Sequence, residues 1–185
     1  MQESPFNPFP VLETERLLLR EMKKEDLQDV YSYASNPELT TFLMWEHHKT
    51  IKDSEAFIDL LINQYQKGTG GAWAIVWKEN NSVIGTMDLG WKPKQYSAEL
   101  AYALSLDYWH KGIGTEAARA VLCFGFETLK LERIYARCHP DNIASYKLME
   151  KLGMTYEGTL RKSMQRKGKQ EDAKIYSILK DEFKQ

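Results

Sequence analysis

Residues 108–117 read Tyr-Trp-His-Lys-Gly-Ile-Gly-Thr-Glu-Ala and lie between a strand-like run and a helical one. A glycine-rich turn that opens a helix leaves backbone N–H groups without intrahelical acceptors, and the helix dipole adds positive charge at the same spot. A phosphate is the ligand that such a turn suits. Gly112 and Gly114 carry no side chain to obstruct an anion. Just upstream, Leu100, Tyr102, Leu104 and Leu106 alternate with Glu99, Ala101, Ala103 and Ser105. The second set is small apart from its carboxylate. Its face either leaves room for a ligand beside the sheet or packs closely on a helix. Downstream comes Asn142-Ile-Ala-Ser145-Tyr-Lys-Leu-Met149, where Asn142 suits a helix N-cap.

The rest of the chain must position these residues. Residues 1–10 are rich in proline and are expected to run extended. Arg16–Arg20 reads as a strand, and Lys24–Ala34 has helical spacing stopped by Pro37. Residues 38–50, with Trp45, Glu46, His47 and His48, read as a connection. Phe57, Ile58, Leu61, Ile62 and Tyr65 share one face of a helix over Asp53–Lys67, which Gly68, Gly70 and Gly71 end. Ala72–Trp77 and Val83–Leu89 flank the hairpin signal Asn80-Asn81-Ser82. Ala118, Val121, Leu122, Gly125, Phe126 and Leu129 give the helix after the glycine turn a core face. Arg133–Cys138 is a strand, a short helix ends at Gly153, and Tyr156–Arg166 and Gln170–Phe183 pair around Gly168. The order predicts one mixed α/β domain over residues 1–185.

Bulk properties narrow the classes. The 185 residues are 43% hydrophobic and 28% charged, with a net charge of −1. That balance argues against a dedicated nucleic-acid binder. The N-terminus has no basic start or apolar run, and no stretch approaches a membrane span. A cytoplasmic location is expected, with Cys123 and Cys138 reduced in the core. His47-His48 and Cys138-His139 lack the spacing of metal ligands, so no metal is expected. Arg161, Lys162, Arg166, Lys167 and Lys169 form either a solvated edge or a surface for an acidic protein or ribosomal RNA. The turn is not an ATP P-loop, because Lys111 precedes its glycines.

Taken in order, Thr14-Glu-Arg-Leu-Leu-Leu-Arg20, Val83-Ile-Gly85, Ala98-Glu-Leu-Ala-Tyr102, Trp109-His-Lys-Gly-Ile-Gly-Thr-Glu-Ala117, Asn142-Ile-Ala-Ser145, Leu152-Gly-Met154 and Glu157-Gly-Thr-Leu-Arg161 resemble the GNAT acyltransferase superfamily. Within it they resemble the RimJ/RimL-type branch of ribosomal-protein N-acetyltransferases. The resemblance implies a GNAT domain of α/β (α+β) class. Its mostly antiparallel sheet would have about seven strands, parted at the centre and flanked by about four helices. It implies acetyl-CoA as donor. The pyrophosphate would rest on Lys111, Gly112, Ile113, Gly114 and Thr115. The pantetheine would lie beside Leu104, Ser105 and Leu106, and Asn142 would also contact the cofactor. One position departs from the pattern: Trp109 stands where the superfamily usually has Gln or Arg, and reads as a packing residue.

Moving an acetyl group to an amine requires a proton acceptor, an oxyanion donor and help for the leaving thiolate. By resemblance, Glu99 is the base; the other reading makes it a structural partner for an arginine or a backbone group. The oxyanion donor would be a backbone N–H near Leu104. Many relatives protonate the sulfur with a tyrosine at the position occupied here by Met149. Ser145, one turn earlier, is the candidate acid, or else caps the helix or bonds the cofactor. Tyr146 is rotated about 100° away. The acceptor is an amine: the α-amine of a ribosomal protein, or a small molecule such as a polyamine, amino acid or aminoglycoside. Glu46, Asp88 and Glu99 could line an acidic groove for it. A CoA-binding module without catalysis is the rival class, and a homodimer is one available assembly.

Overall fold

Runs of β-branched and aromatic residues pair into a single eight-stranded sheet in the computed structural model, which describes residues 4–92 and 94–184. Residues 1–3 of the N-terminal segment, Pro93 and Gln185 lie outside the described residues. The strands are β1 (Leu12–Glu13), β2 (Leu17–Arg20), β3 (Trp73–Trp77), β4 (Ser82–Gly90), β5 (Ser97–Leu104), β6 (Arg133–Cys138), β7 (Thr155–Arg166) and β8 (Lys169–Leu179). Their order is β1-β2-β3-β4-β5-β6-β8-β7. The strand beyond the expected seven is β1, two residues long and too short to show a period.

The helices are α1 (Leu27–Ala34), α2 (Ile51–Gln66), α3 (Ile113–Glu127) and α4 (Ile143–Lys151). Helix α2 begins earlier than apolar spacing alone suggests. Asp53 accepts from the N–H groups of Lys49 and Thr50 at 2.9 and 2.8 Å, which moves the cap to Thr50. Helices α1 and α2 pack together, and α1 lies on β4. Helix α3 packs against β4 and β6, and α4 against β6 and β8. The N-terminal segment does not run extended throughout: Asn7 N–H bonds the Ser4 carbonyl at 3.0 Å, and Phe6 and Phe9 are buried. They join Trp73 in an aromatic cluster, whose indole N–H donates to the Pro10 carbonyl at 2.7 Å.

One pairing shapes the site. Strands β5 and β6 are parallel and meet only at Ser97↔Arg133, Ala98↔Ile134 and Glu99↔Tyr135. Beyond Glu99, β5 keeps its ladder to β4 as far as Leu104, while β6 keeps its ladder to β8 as far as Cys138. The two central strands therefore part after the third pair. Backbone groups of β5 facing β6 lose their ladder partner there.

Gly85 sits where β4 must come closest to the end of β5. A Cβ there would collide with the Ala103 carbonyl oxygen and lie 2.9 Å from the Leu104 Cα. Both are backbone atoms and cannot rotate aside. Gly85→Ala should therefore destabilise the fold by about 1–3 kcal/mol, the usual cost of overpacking. Urea denaturation should show a lower midpoint at an unchanged m value; an unchanged midpoint would contradict the close approach.

Candidate active site

The turn between β5 and α3 is tied down at both ends. The Trp109 indole N–H donates to the Leu104 carbonyl at 2.7 Å, so this residue packs and anchors the turn. His110 and Gly112 have φ of 58° and 77°, a left-handed conformation that glycine tolerates best. Glu116 N–H makes the first helical bond, to the Gly112 carbonyl at 3.0 Å. The N–H groups of Ile113, Gly114 and Thr115 precede it and have no acceptor within the helix.

The hairpin of β1 and β2 braces this turn from below. Arg16 bonds Glu116 at 2.7 Å and donates to the Lys111 carbonyl at 3.1 Å. Thr14 donates to Glu116 at 2.6 Å. Burial acts against its ionisation, but the bonds from Thr14 and Arg16 hold the Glu116 carboxyl below the ordinary range. Arg16 thus braces the turn through the Lys111 carbonyl, with its charge paired to Glu116.

Two cavities open on the parted strands. The larger, about 760 Å³, runs from His110, Gly112, Ile113, Gly114 and Thr115 to Leu104 and Ser145. The smaller, about 230 Å³, is lined by Asp88, Glu99, Ala101, Arg137 and the 42–45 segment. Phe42, Leu43, Tyr102, Ala103, Asn142 and Ser145 line both. The cavities therefore adjoin at the gap between β5 and β6.

Ser145 occupies that junction and is buried. Its backbone N–H donates to Asn142 Oδ1 at 3.2 Å, which confirms Asn142 as the N-cap of α4. Its hydroxyl lies 2.9 Å from the Tyr102 hydroxyl. Burial raises the Tyr102 phenol, so it stays protonated through neutral pH. Burial also raises the Cys138 thiol, against a hydrogen bond with Ser145. Met149 is a core residue. Tyr146 points away from both cavities, its ring 4.1 Å from Lys174 Nζ.

In the smaller cavity Glu99 is held by Arg137 through two parallel bonds of 2.8 and 2.9 Å. Asp88 is a near neighbour: it pairs with Ala101 in the register, and Glu99 pairs with Gly90. Among the described residues no cationic side chain is within ion-pair distance of Asp88. Burial, reinforced by the Glu99 charge, raises the Asp88 carboxyl above the usual range.

The roof is the 38–46 strap. Arg166 donates to the Thr41 carbonyl at 2.7 Å and is itself paired with Glu171. Lys167 pairs with Glu46 at 3.4 Å, and Phe42 stacks on His139 with centroids 5.3 Å apart. Of the basic residues in the final hairpin, Arg166 and Lys167 therefore act as a clasp rather than a solvated edge.

A family model described as Acetyltransferase (GNAT) domain matches residues 16–155. The chain belongs to the GNAT acetyltransferase family. It is 34% identical over 173 residues to Uncharacterized N-acetyltransferase YoaA of Bacillus subtilis (strain 168), covering 93% of this chain and 98% of that one. The fold matches ribosomal-protein-S5-alanine acetyltransferase from Vibrio fischeri at a TM-score of 0.78 and 23% identity, over 95% of this chain and 100% of that one. It also matches the microcin C7 self-immunity acetyltransferase MccE, solved with acetyl-CoA and AMP, at a TM-score of 0.80 and 22% identity, over 90% of this chain and 93% of that one. The protein is an N-acetyltransferase with one GNAT domain.

Against this GNAT frame the expected site residues divide. Leu104, Gly112, Ile113, Gly114, Thr115, Asn142 and Ser145 line the larger cavity, and Glu99 lines the smaller. Ser105, Leu106 and Lys111 line neither. Strand β5 stops at Leu104, Leu106 begins a short 3-10 turn, and Ser105 N–H is spent on the Ile84 carbonyl at 2.8 Å. Lys111 instead lies over the Tyr108 ring. Asp88 joins Glu99, whereas Glu46 belongs to the clasp. Tyr102 and Arg137 escaped sequence reading. Tyr102 falls on the apolar face of an alternating strand, and Arg137 is 38 positions from its partner. Of the two histidine pairs, His48 bonds Ser54 at 2.7 Å and His139 stacks on Phe42. No cluster of three or more His, Cys, Asp or Glu suited to a metal occurs among the described residues.

The clasp can be tested alone. Arg166→Ala removes a bond to a charged donor, so amide exchange in the strap should quicken about fivefold or more. Hydrogen–deuterium exchange resolved to peptides covering residues 38–46 would measure it, and unchanged exchange would show that Arg166 does not hold the strap.

Proposed function

We propose that this enzyme transfers an acetyl group from acetyl-CoA directly to a primary amine, with both substrates bound together. The observation that carries this reading is the junction of the two cavities at the parted strands. The larger reaches the helix start that suits a pyrophosphate, and the smaller ends at carboxylates that suit an amine. Acetyl-CoA as donor is supported by membership of the GNAT family and by the MccE structure, which holds acetyl-CoA. The likeness to the Vibrio fischeri enzyme makes the α-amine of a ribosomal protein one acceptor that the reading admits.

The free N–H groups at Ile113 to Thr115 hold the pyrophosphate, and the unladdered edge of β5 lies along the pantetheine. The neutral amine attacks the thioester carbonyl carbon, the C–S bond breaks, and the ammonium proton passes to a carboxylate of the smaller cavity. Both Glu99 oxygens accept from Arg137, so the arginine fixes the position of that carboxylate. Ser145, held by the Tyr102 hydroxyl, gives a proton to the departing sulfur, and the proton that the amine released returns to the serine through solvent. The Tyr102 phenol, which burial keeps protonated, orients the serine hydroxyl and does not itself ionise.

Two variants test the placement. Gly114→Glu sets bulk and negative charge at the helix start, where an added Cβ would lie 2.7 Å from a Leu148 methyl. Acetyl-CoA binding should become undetectable by calorimetry. Ser145→Ala should lower kcat by about 10²-fold, within the usual range for acid–base groups, with acetyl-CoA affinity nearly unchanged. Full affinity in the first variant or full turnover in the second would refute the corresponding role.

A further inference from the structure

The smaller cavity carries a charge pattern that selects among amines. Its charged side chains are Asp88, Glu99 and Arg137. Glu99 and Arg137 cancel each other through their two-bond pair, which leaves one carboxylate without a counter-charge. The remaining lining is largely apolar, with Phe42, Trp45 and Met164 among it. An engineered apolar cavity of about 150 Å³ takes up benzene. The volume of about 230 Å³ thus has room for one ring or branched chain with a short amine arm.

Resting on the transferase reading above, we infer that the acceptor is a monocationic primary amine with a compact apolar body, and that Asp88 is the residue that binds its ammonium group and takes its proton. A polyamine fits badly. Its second ammonium would meet Arg137 or the apolar lining, and among the described residues no second free carboxylate lines this cavity. A free amino acid fits badly too, because the arginine that would receive its carboxylate is already neutralised. The shared chemistry has two sources: a free arylalkyl or branched alkyl amine, or the first residue of a peptide with an apolar side chain.

Proton transfer to Asp88 is electrostatically reasonable. Asp88 faces Glu99 on β5 and shares its cavity with Arg137 on β6, and its charge also acts on the buried Tyr65 of α2. Burial and the Glu99 charge both make it more basic than an ordinary aspartate. Activity that needs the ionised carboxylate must fall as pH drops through that raised value.

The test compares initial rates of CoA release with 2-phenylethylamine, spermidine, free phenylalanine and peptides beginning with Phe or Ser. The wild type should show kcat/KM at least tenfold higher for 2-phenylethylamine or the Phe peptide than for spermidine and phenylalanine. The better of those two names the source. Asp88→Asn should lose about 10²-fold or more and the acid limb of the pH profile, with acetyl-CoA affinity within twofold of wild type. Arg137→Gln frees Glu99 and should narrow the preference over spermidine, a gain that misfolding cannot mimic. Spermidine or phenylalanine as the best acceptor, a Ser peptide equal to the Phe peptide with no rate on 2-phenylethylamine, or an Asp88→Asn enzyme as fast as wild type would overturn the inference. Acetyl-CoA binding without transfer to any amine would overturn the transferase reading itself, and this one with it.

Discussion

The site exists because β5 and β6 stop pairing after three residues on each side. A parallel pair that continued would close the sheet and seal the junction between the two cavities. Each strand instead continues along its other neighbour. Strand β5 follows β4 to Leu104, drawn close by Gly85, and β6 follows β8 to Cys138. The unladdered backbone costs free energy unless something else bonds it. In this enzyme that edge borders the two cavities.

Around that gap each group has a structural reason to be where it is. Tyr102 and Ser145 meet because α4, capped by Asn142, places its first turn over the opening. Asp88 and Glu99 meet because the β4–β5 register sets Asp88 beside Ala101 and Gly90 beside Glu99. The turn between β5 and α3 keeps its shape through Thr14, Arg16 and Glu116, from segments 100 or more positions apart. The polar groups around the gap thus come from strands and helix ends, and the strap forms a roof over them. Rigid elements hold reacting groups more closely than loops do.

Much of this was legible in the sequence because it is local. Strand Arg133–Cys138 and the core face of α3 follow from period alone, and Asn142 from capping chemistry. The turn between β5 and α3 announced itself through two glycines between strand and helix. Pairings between distant side chains left no such trace. Nothing local links Glu99 to Arg137, Arg166 to Thr41 or Tyr102 to Ser145. Alternation placed Tyr102 on an apolar face but not against a hydroxyl across the gap. Similarly, Phe6 and Phe9 look like residues of a proline-rich arm until Trp73 and its aromatic neighbours receive them.

A crystal structure of the enzyme with bound CoA would test the central claim most directly. The account predicts the pantetheine arm between β5 and β6, bonded to backbone of β5 beyond Glu99, with the pyrophosphate at the N–H groups of Ile113 to Thr115 and the sulfur beside Ser145. CoA bound on another face, or the two strands joined past Glu99 with the arm excluded, would contradict it.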